Sequence, residues 1–425
     1  MADFTTIGAA AGLAIAIILI IQKVHPAYSL ILGALIGGLI GGGGPAATVN
    51  AMISGAQDMM SPVLRILTSG ILTGALIRTG SARKIAETIV GKMGERLALA
   101  AIALATMIIC AAGVFVDISV ITVAPVALAI GQKAKLNKNA LLLAMIGGGK
   151  AGNIVSPNPN TIATAEAFGT DLTSLMIKNI VPAVFALGMS VFLSFILSKK
   201  QNTPAEAPND MENSEAGLPG FIPAVIGPMA VILLLALRPI AGVSIDPMIA
   251  LPLGGLICMI VTGKAKEVVS ITEFGLSKVI GVAVLLIGTG TIAGIIKASA
   301  LQYDVISLLE RFSLPAFVLA PLAGVLMAGA TASTTAGTTI AAQTFASTLL
   351  SQGVPALAAG AMIHAGATVA DSLPHGSFFH ATGGSVNFSI SERMKLIPFE
   401  ACVGLTATII SAAMYLLFGQ VRFKG

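Results

Sequence analysis

The chain has 425 residues, of which 56% are hydrophobic and only 10% charged, with a mean hydropathy of +0.94. A soluble domain carries roughly 25% charged residues, so composition excludes an ordinary water-soluble fold and points to many apolar helices in a bilayer. The net charge of +5 is no nucleic-acid signal, because Lys and Arg gather in short loops, as the positive-inside rule predicts for cytoplasmic ones.

In chain order, the first apolar run, 7–21, is preceded by one charge, Asp3, and followed by Lys23. No basic n-region precedes it, so no cleaved signal peptide is expected; the N-terminus is placed outside and Lys23 inside. Residues 28–40 lead out and 62–77 lead in. The segment 78–96, with Arg78, Arg83, Lys84, Lys92 and Arg96, is then cytoplasmic, as is the cluster Lys133, Lys135 and Lys138. Between them 97–132 enters and returns, either as two spans or as a re-entrant hairpin with its tip near 113–119. Residues 139–168 cross outward as a broken helix, and 181–197 returns to Lys199 and Lys200. A polar stretch, 201–217, with Pro204, Pro208 and the acids Glu206, Asp210, Glu212 and Glu215, reads as the linker between halves. The run 221–237 leads out and 248–261 leads in to Lys264 and Lys266. This count puts Arg422 and Lys424 outside.

Two polar, helix-breaking stretches interrupt hydrophobic surroundings: Gly152-Asn153-Ile154-Val155-Ser156-Pro157-Asn158-Pro159-Asn160-Thr161 and Asp371-Ser372-Leu373-Pro374-His375-Gly376-Ser377. Their serines, Ser156 and Ser372, are 372 − 156 = 216 residues apart. The same offset pairs Gly113 with Gly329, Thr122 with Thr338, Ala165 with Ala381 and Pro182 with Pro398. The second copy starts inside, near Lys278, and the first outside, near Pro62, so the repeats have inverted topology. Paired interruptions in inverted repeats are the best sequence pointer to a transporter's binding site.

The residue chemistry suits an anion. Two prolines within three residues end a helix, and broken backbone at membrane depth is tolerated only inside protein or along a wet cavity. Ser156, Asn158, Asn160 and Thr161 offer donors, and the helix restarting at Thr161 offers free N–H groups at its positive end. In the partner segment Ser372, His375, Gly376 and Ser377 offer donors and a close backbone approach. The hydroxyl-rich run 329–339 supplies Ser333, Thr334 and Thr335 at a second hairpin tip; small-residue helix packing explains the same composition. Asp117, Asp371 and His375 are the ionisable groups assigned to ion coupling. Lys150, in Gly147-Gly148-Gly149-Lys150, is an anion-attracting candidate and not a P-loop. His364 and His380 are weaker candidates. The cysteines Cys110, Cys258 and Cys402 have no ligand spacing, and no metal or cofactor is expected. Asp117, Glu166, His364, Asp371 and His375 form no recognisable catalytic constellation, so an intramembrane enzyme is disfavoured.

At these motifs the chain resembles the gluconate permease family of the ion-transporter superfamily. The likeness rests on Pro157-Asn158-Pro159-Asn160-Thr161-Ile162-Ala163, on 329–339, and on 367–398, ending in Ser391-Glu392-Arg393-Met394-Lys395-Leu396-Ile397-Pro398. Asn158 and Asn160 stand where sugar-acid members carry a histidine. The resemblance implies proton-coupled uptake of a sugar acid or hydroxy carboxylate, a homodimer, two re-entrant hairpins, two broken helices and an elevator-type motion. The architecture expected is an all-α polytopic protein of about 10 spans plus two hairpins, or roughly 12–14 spans if the hairpins cross. Its parts are scaffold helices in 1–61, a first inverted repeat in 62–198, a linker in 199–218, further scaffold in 219–277 and a second repeat in 278–425. The function expected is import of a small organic anion with protons across a bacterial inner membrane; sodium-coupled di- or tricarboxylate transport is the alternative.

Overall fold

The computed structural model describes residues 4–199, 217–243, 245–311, 315–374 and 376–418. Among them the chain is all-helical apart from one isolated bridge, Phe4 with Ser299. The helices of the first half are α1 (Thr6–Ile21), α2 (Pro26–Ile40), α3 (Gly44–Asp58), α4 (Met60–Arg78), α5 (Ser81–Met93), α6 (Ala98–Ala111), α7 (Val116–Lys133), α8 (Lys138–Asn153), α9 (Pro159–Ala167), α10 (Leu172–Lys178) and α11 (Ile180–Ser198). Those of the second are α12 (Phe221–Ala241), α13 (Pro247–Val261), α14 (Val268–Lys297), α15 (Leu301–Arg311), α16 (Leu319–Thr331), α17 (Thr334–Ser351), α18 (Ala356–Ala367), α19 (Ser377–Gly384), α20 (Ile390–Met394) and α21 (Ile397–Phe418). By length and composition α4, α7, α11, α14 and α21 suffice to cross a membrane, and six shorter apolar helices accompany them.

Adding 216 carries the helices of the first half onto those of the second, from α1 onto α12 to α11 onto α21. The repeat therefore runs further than 62–198 and 278–425 and takes in the N-terminal helices. One helix absent from the sequence reading, α3, meets α4 at Met59, which keeps helical dihedrals. Together they answer to the single long α14. This crossing also shows how the halves relate. Gly70 and Gly74 face Gly275, Gly55 and Met59 face Gly290, and Ala51 faces Gly294. Numbers rise on one helix as they fall on the other, so these equivalent elements run antiparallel. A two-fold axis along the membrane normal would leave them parallel; the inversion expected from loop charge is present in the packing. The contact is backbone to backbone: a Cβ on Gly275 would lie 2.0 Å from the Gly70 carbonyl oxygen, so only glycine fits.

The helices form two bodies. In one, α1–α4 and α12–α14 pack on each other; in the other, α6–α11 pack with α16–α21, and α11 lies on its own equivalent α21. At the Gly94 corner (φ +71°) the amphipathic α5 turns by 109° into the apolar segment ending at Ala111. Within the second body α6–α7 and α16–α17 are the two hairpins. Their turns lie at 112–115 and 332–333, so Asp117 and Ser119 belong to helix α7 and not to the tip. Gly113 (φ +107°) makes the first turn, and its carbonyl accepts from Thr73 Oγ1 at 3.0 Å. Gly329 stays helical inside α16, and Ala332 (φ +46°) makes the second turn instead. The Gly147-Gly148-Gly149 run is a packing stripe: Gly148 lies against the Ala103 carbonyl of α6, and Gly149 against Val116 of α7.

Candidate functional site

Local sequence builds the first break. Pro159 holds the preceding Asn158 extended (φ −91°, ψ 172°), the conformation of a helix N-cap, and itself starts α9. Asn158 Oδ1 accepts from the N–H groups of Asn160 (2.9 Å) and Thr161 (3.1 Å) and from Thr161 Oγ1 (3.3 Å). Its Nδ2 donates to the Asn153 carbonyl (2.9 Å) and to Asn153 Oδ1 (2.5 Å), and Asn160 Nδ2 donates to the same Oδ1 at 3.1 Å. Asn158, Asn160 and Thr161, expected as ligand donors, are thus largely engaged in holding the break. Ser156 is fully buried and its hydroxyl has no hydrogen-bond partner among the described residues; neither do Asn160 Oδ1 and Asn153 Nδ2.

The second break, between α18 and α19, is built around charge. Asp371 is 2% exposed and surrounded by donors. Lys150 Nζ, from α8, donates to its Oδ1 at 2.6 Å and to the Thr368 carbonyl at 2.6 Å. Ser372 Oγ donates to the same Oδ1 at 3.0 Å, and Thr334 Oγ1, in the first turn of α17, donates to Oδ2 at 2.6 Å. Lys150 and Asp371, considered separately in the sequence, are one ion pair that joins the first broken helix to the second break and the second hairpin. Ser333 caps α17 by accepting from Ala336 N at 3.2 Å. Gly376 lies against the second turn, where a Cβ would meet the Ala332 carbonyl at 2.3 Å, and Ser377 starts α19 in an exposed position. Thr335 is half-buried on α17. His375 lies outside the described residues. Asp117 is apart from the ion pair, at the start of α7, with Oδ1 accepting from Ile118 N at 2.9 Å.

A further polar set extends the hydroxyl run 329–339 to residues the sequence reading missed, Gln343 and Thr344, and brings in His364, a weaker candidate there. Thr338, Thr339, Gln343 and Thr344 on α17 and both ring nitrogens of His364 on α18 carry buried atoms with no partner among the described residues. These helices pack on each other, and α17 also packs on α9. Buried polar groups are normally hydrogen-bonded, so such a group of exceptions marks a place for a polar ligand or water. The visible signal was the hydroxyl run continuing at helical spacing past Thr335. A cavity of about 910 Å³ opens between the two bodies, lined by Asn50, Ser54, Glu166, Lys297, Gln343 and Thr344 among others. It reaches the polar face of α17, whereas Ser156 and Asp371 are not in its wall.

One ion network joins the bodies. Arg65 on α4 pairs with Glu166 at the end of α9 and with Asp246, the N-cap of α13, at 2.8 Å. The Arg65 hydrogen bonds hold the Asp246 carboxyl below its ordinary range. A second buried pair, Arg393 with Glu400, braces α20 against α21 inside the second body, and Arg393 also donates to Thr382 Oγ1 at 3.3 Å.

The family model described as GntP family permease matches residues 4–418. An uncharacterized transporter of Haemophilus influenzae is 53% identical over 423 residues, covering 100% of both chains. The D-serine transporter DsdX of Escherichia coli is 22% identical over 338 residues, covering 74% of this chain and 76% of its own. Among solved structures, the YdaH transporter of Alcanivorax borkumensis superimposes with a TM-score of 0.69 over 97% of this chain and 99% of that one, at 15% identity, a likeness of fold.

Proposed function

We propose that this chain, which belongs to the GntP family of permeases, is a secondary active symporter that imports a small organic anion with protons by an elevator-type motion. The observation that carries this reading is the ion pair by which the first broken helix meets the second break and a hairpin tip at one buried, hydrogen-bonding centre. There Lys150, Thr334 and Ser372 gather around the Asp371 carboxylate, and in the first break the Ser156 hydroxyl has no partner among the described residues. Transporters with inverted repeats place substrate where their discontinuous helices meet. An anion there has lost its water and needs replacement donors. The substrate class is a short carboxylate with hydroxyl or amino substituents, which spans sugar acids and the D-serine named for one relative. Asp371 and Asp117 are the described groups assigned to coupling, with His375 as the third from the sequence.

The moving body is α6–α11 with α16–α21, and α1–α4 with α12–α14 is the fixed one. The cavity between them and the Arg65–Glu166 bridge suit surfaces that slide. By the loop-charge topology, the cavity mouth near Lys297 is on the non-cytoplasmic side of a bacterial inner membrane.

The test is uptake and counterflow of labelled gluconate and D-serine in proteoliposomes under imposed proton or sodium gradients. An inward proton gradient should drive accumulation of at least one. Accumulation that follows sodium and ignores pH would instead establish a sodium-coupled carrier; absence of counterflow for any small acid would overturn the reading.

A further inference from the structure

Resting on that reading, we infer that Asp371 occupies the place of the substrate's carboxylate, and that substrate binds by displacing it from Lys150 while Asp371 takes up the co-transported proton. Three donors from three elements converge on the Asp371 carboxylate: Lys150 Nζ at 2.6 Å, Thr334 Oγ1 at 2.6 Å and Ser372 Oγ at 3.0 Å. This is the donor set that a bound carboxylate requires. It is complete, buried and already filled by the protein's own carboxylate.

The repeat argues against a merely structural pair. The equivalent of Lys150 in the second half is Gly366, the equivalent of Asp371 in the first half is Val155, and the first break is held by neutral amides. The architecture therefore forms a break without charge. A buried ion pair is also weak evidence for stability, since well-packed apolar residues often do as well. The lysine is an addition in the first half and the aspartate an addition in the second, and each is absent from its equivalent position.

Charge balance gives the pair a task. In the empty site Lys150 and Asp371 sum to zero. A monocarboxylate entering alone would leave one buried negative charge uncompensated, which is costly. If one proton enters too, an O–H bond forms on Asp371, the Lys150–Asp371 ion pair breaks, and Lys150 pairs with the substrate carboxylate. The sum is again zero, so the loaded and empty centres cross the membrane with the same charge. Coupling then needs one proton per monoanion. Other titratable groups on elements packed around the pair are Asp117 on α7, Glu166 on α9, Lys178 on α10, His364 on α18, His380 on α19 and Glu400 on α21. Glu166 is paired with Arg65, Glu400 with Arg393, and His380 Nε2 lies 2.8 Å from the Pro374 carbonyl. Lys150 is the charged group in contact with Asp371.

The test uses purified full-length protein and a panel of the monoanions gluconate, glycerate and lactate, taking as probe the acid that gives wild type its largest thermal shift. Because binding takes up one proton, wild-type affinity for the probe should strengthen up to tenfold for each unit that pH falls. In Asp371→Asn, which imitates the protonated acid, binding should become independent of pH. Counterflow should persist in that variant while accumulation driven by a proton gradient is lost. Lys150→Met/Asp371→Asn keeps the centre neutral and controls for folding; it should unfold near the wild-type temperature and bind the probe roughly 10- to 100-fold more weakly, as expected for loss of a charge-assisted hydrogen bond. Wild-type affinity in the double variant, or retained pH-dependence in a well-folded Asp371→Asn, would overturn the exchange of partners while leaving proton symport standing. If Asp371→Asn does not fold, the double variant decides alone. Wild-type uptake indifferent to pH, or no shift with any acid of the panel, would remove the symport reading itself and the exchange with it.

Discussion

At the residue scale, Ser156 and Asn158 separate by what their polar atoms already hold. The Ser156 hydroxyl has no partner among the described residues, while Asn158 caps α9 and ties it back to Asn153. Ser156→Ala should leave the thermal unfolding temperature in detergent unchanged and weaken substrate binding by about 1 kcal/mol. Asn158→Ala should lower stability by about 1–2 kcal/mol, the cost of a lost N-cap, and its effect on affinity will follow from the loosened break. The sequence presented both as donors of one kind; only the contacts show that one is engaged with the backbone and the other is not. Asp246 carries a pH signature. Its carboxyl is held down by the hydrogen bonds from Arg65, so the stabilisation is complete at neutral pH, above the ordinary carboxylate range. It is lost as pH falls through the lowered value. Thermal stability should therefore decline more steeply on acidification from about pH 5 toward pH 3 in wild type than in Arg65→Gln.

At the scale of elements, the crossing of α3–α4 with α14 is held by close backbone approach. A Cβ on Gly55 would lie 2.1 Å from the Gly290 carbonyl oxygen, and one on Gly74 would lie 2.5 Å from the Ile271 carbonyl oxygen. Neither neighbour is a flexible side chain that can move aside. Gly55→Leu should destabilise by about 1–3 kcal/mol or more, read as lost yield and earlier thermal unfolding. Gly188→Ala on α11, where nothing lies within 4 Å, should be neutral or slightly stabilising by helix propensity. The broken helices were legible because proline and its neighbours dictate backbone locally. Helix α3 was not: its Gly44-Pro45 start and mixed Thr48, Asn50 and Gln57 lack the apolar run that marks the neighbouring spans, and its helical state rests on packing against α14. The second hairpin turn lies within the run 329–339 read as its tip, but it is made by Ala332 and Ser333, since Gly329 stays inside α16.

At the scale of the whole molecule, the inverted repeat makes a prediction about sides. A single cysteine at position 135 should resist a membrane-impermeant maleimide added outside intact cells, and one at position 300 should react. Reaction at 135 with protection at 300 would turn the molecule over in the membrane. Labelling of both from one side would contradict the antiparallel relation of α3–α4 and α14. The Arg65–Glu166 bridge belongs to this scale too, because it is a contact between the two bodies and not within either.

Hydropathy, loop charge and the spacing of prolines and glycines determined that this is a membrane protein of two inverted halves, each with a hairpin and an interrupted helix. Those properties are local or periodic, so they can be read without knowing what touches what. The partners of charge were decided only by the tertiary structure. Lys150 and Asp371 are 221 residues apart, and Arg65 lies 101 residues from Glu166 and 181 from Asp246. No spacing rule links such residues. The pairing arises because one half folds back antiparallel on the other and brings its break, with the Asp371 carboxylate, to the lysine of its counterpart.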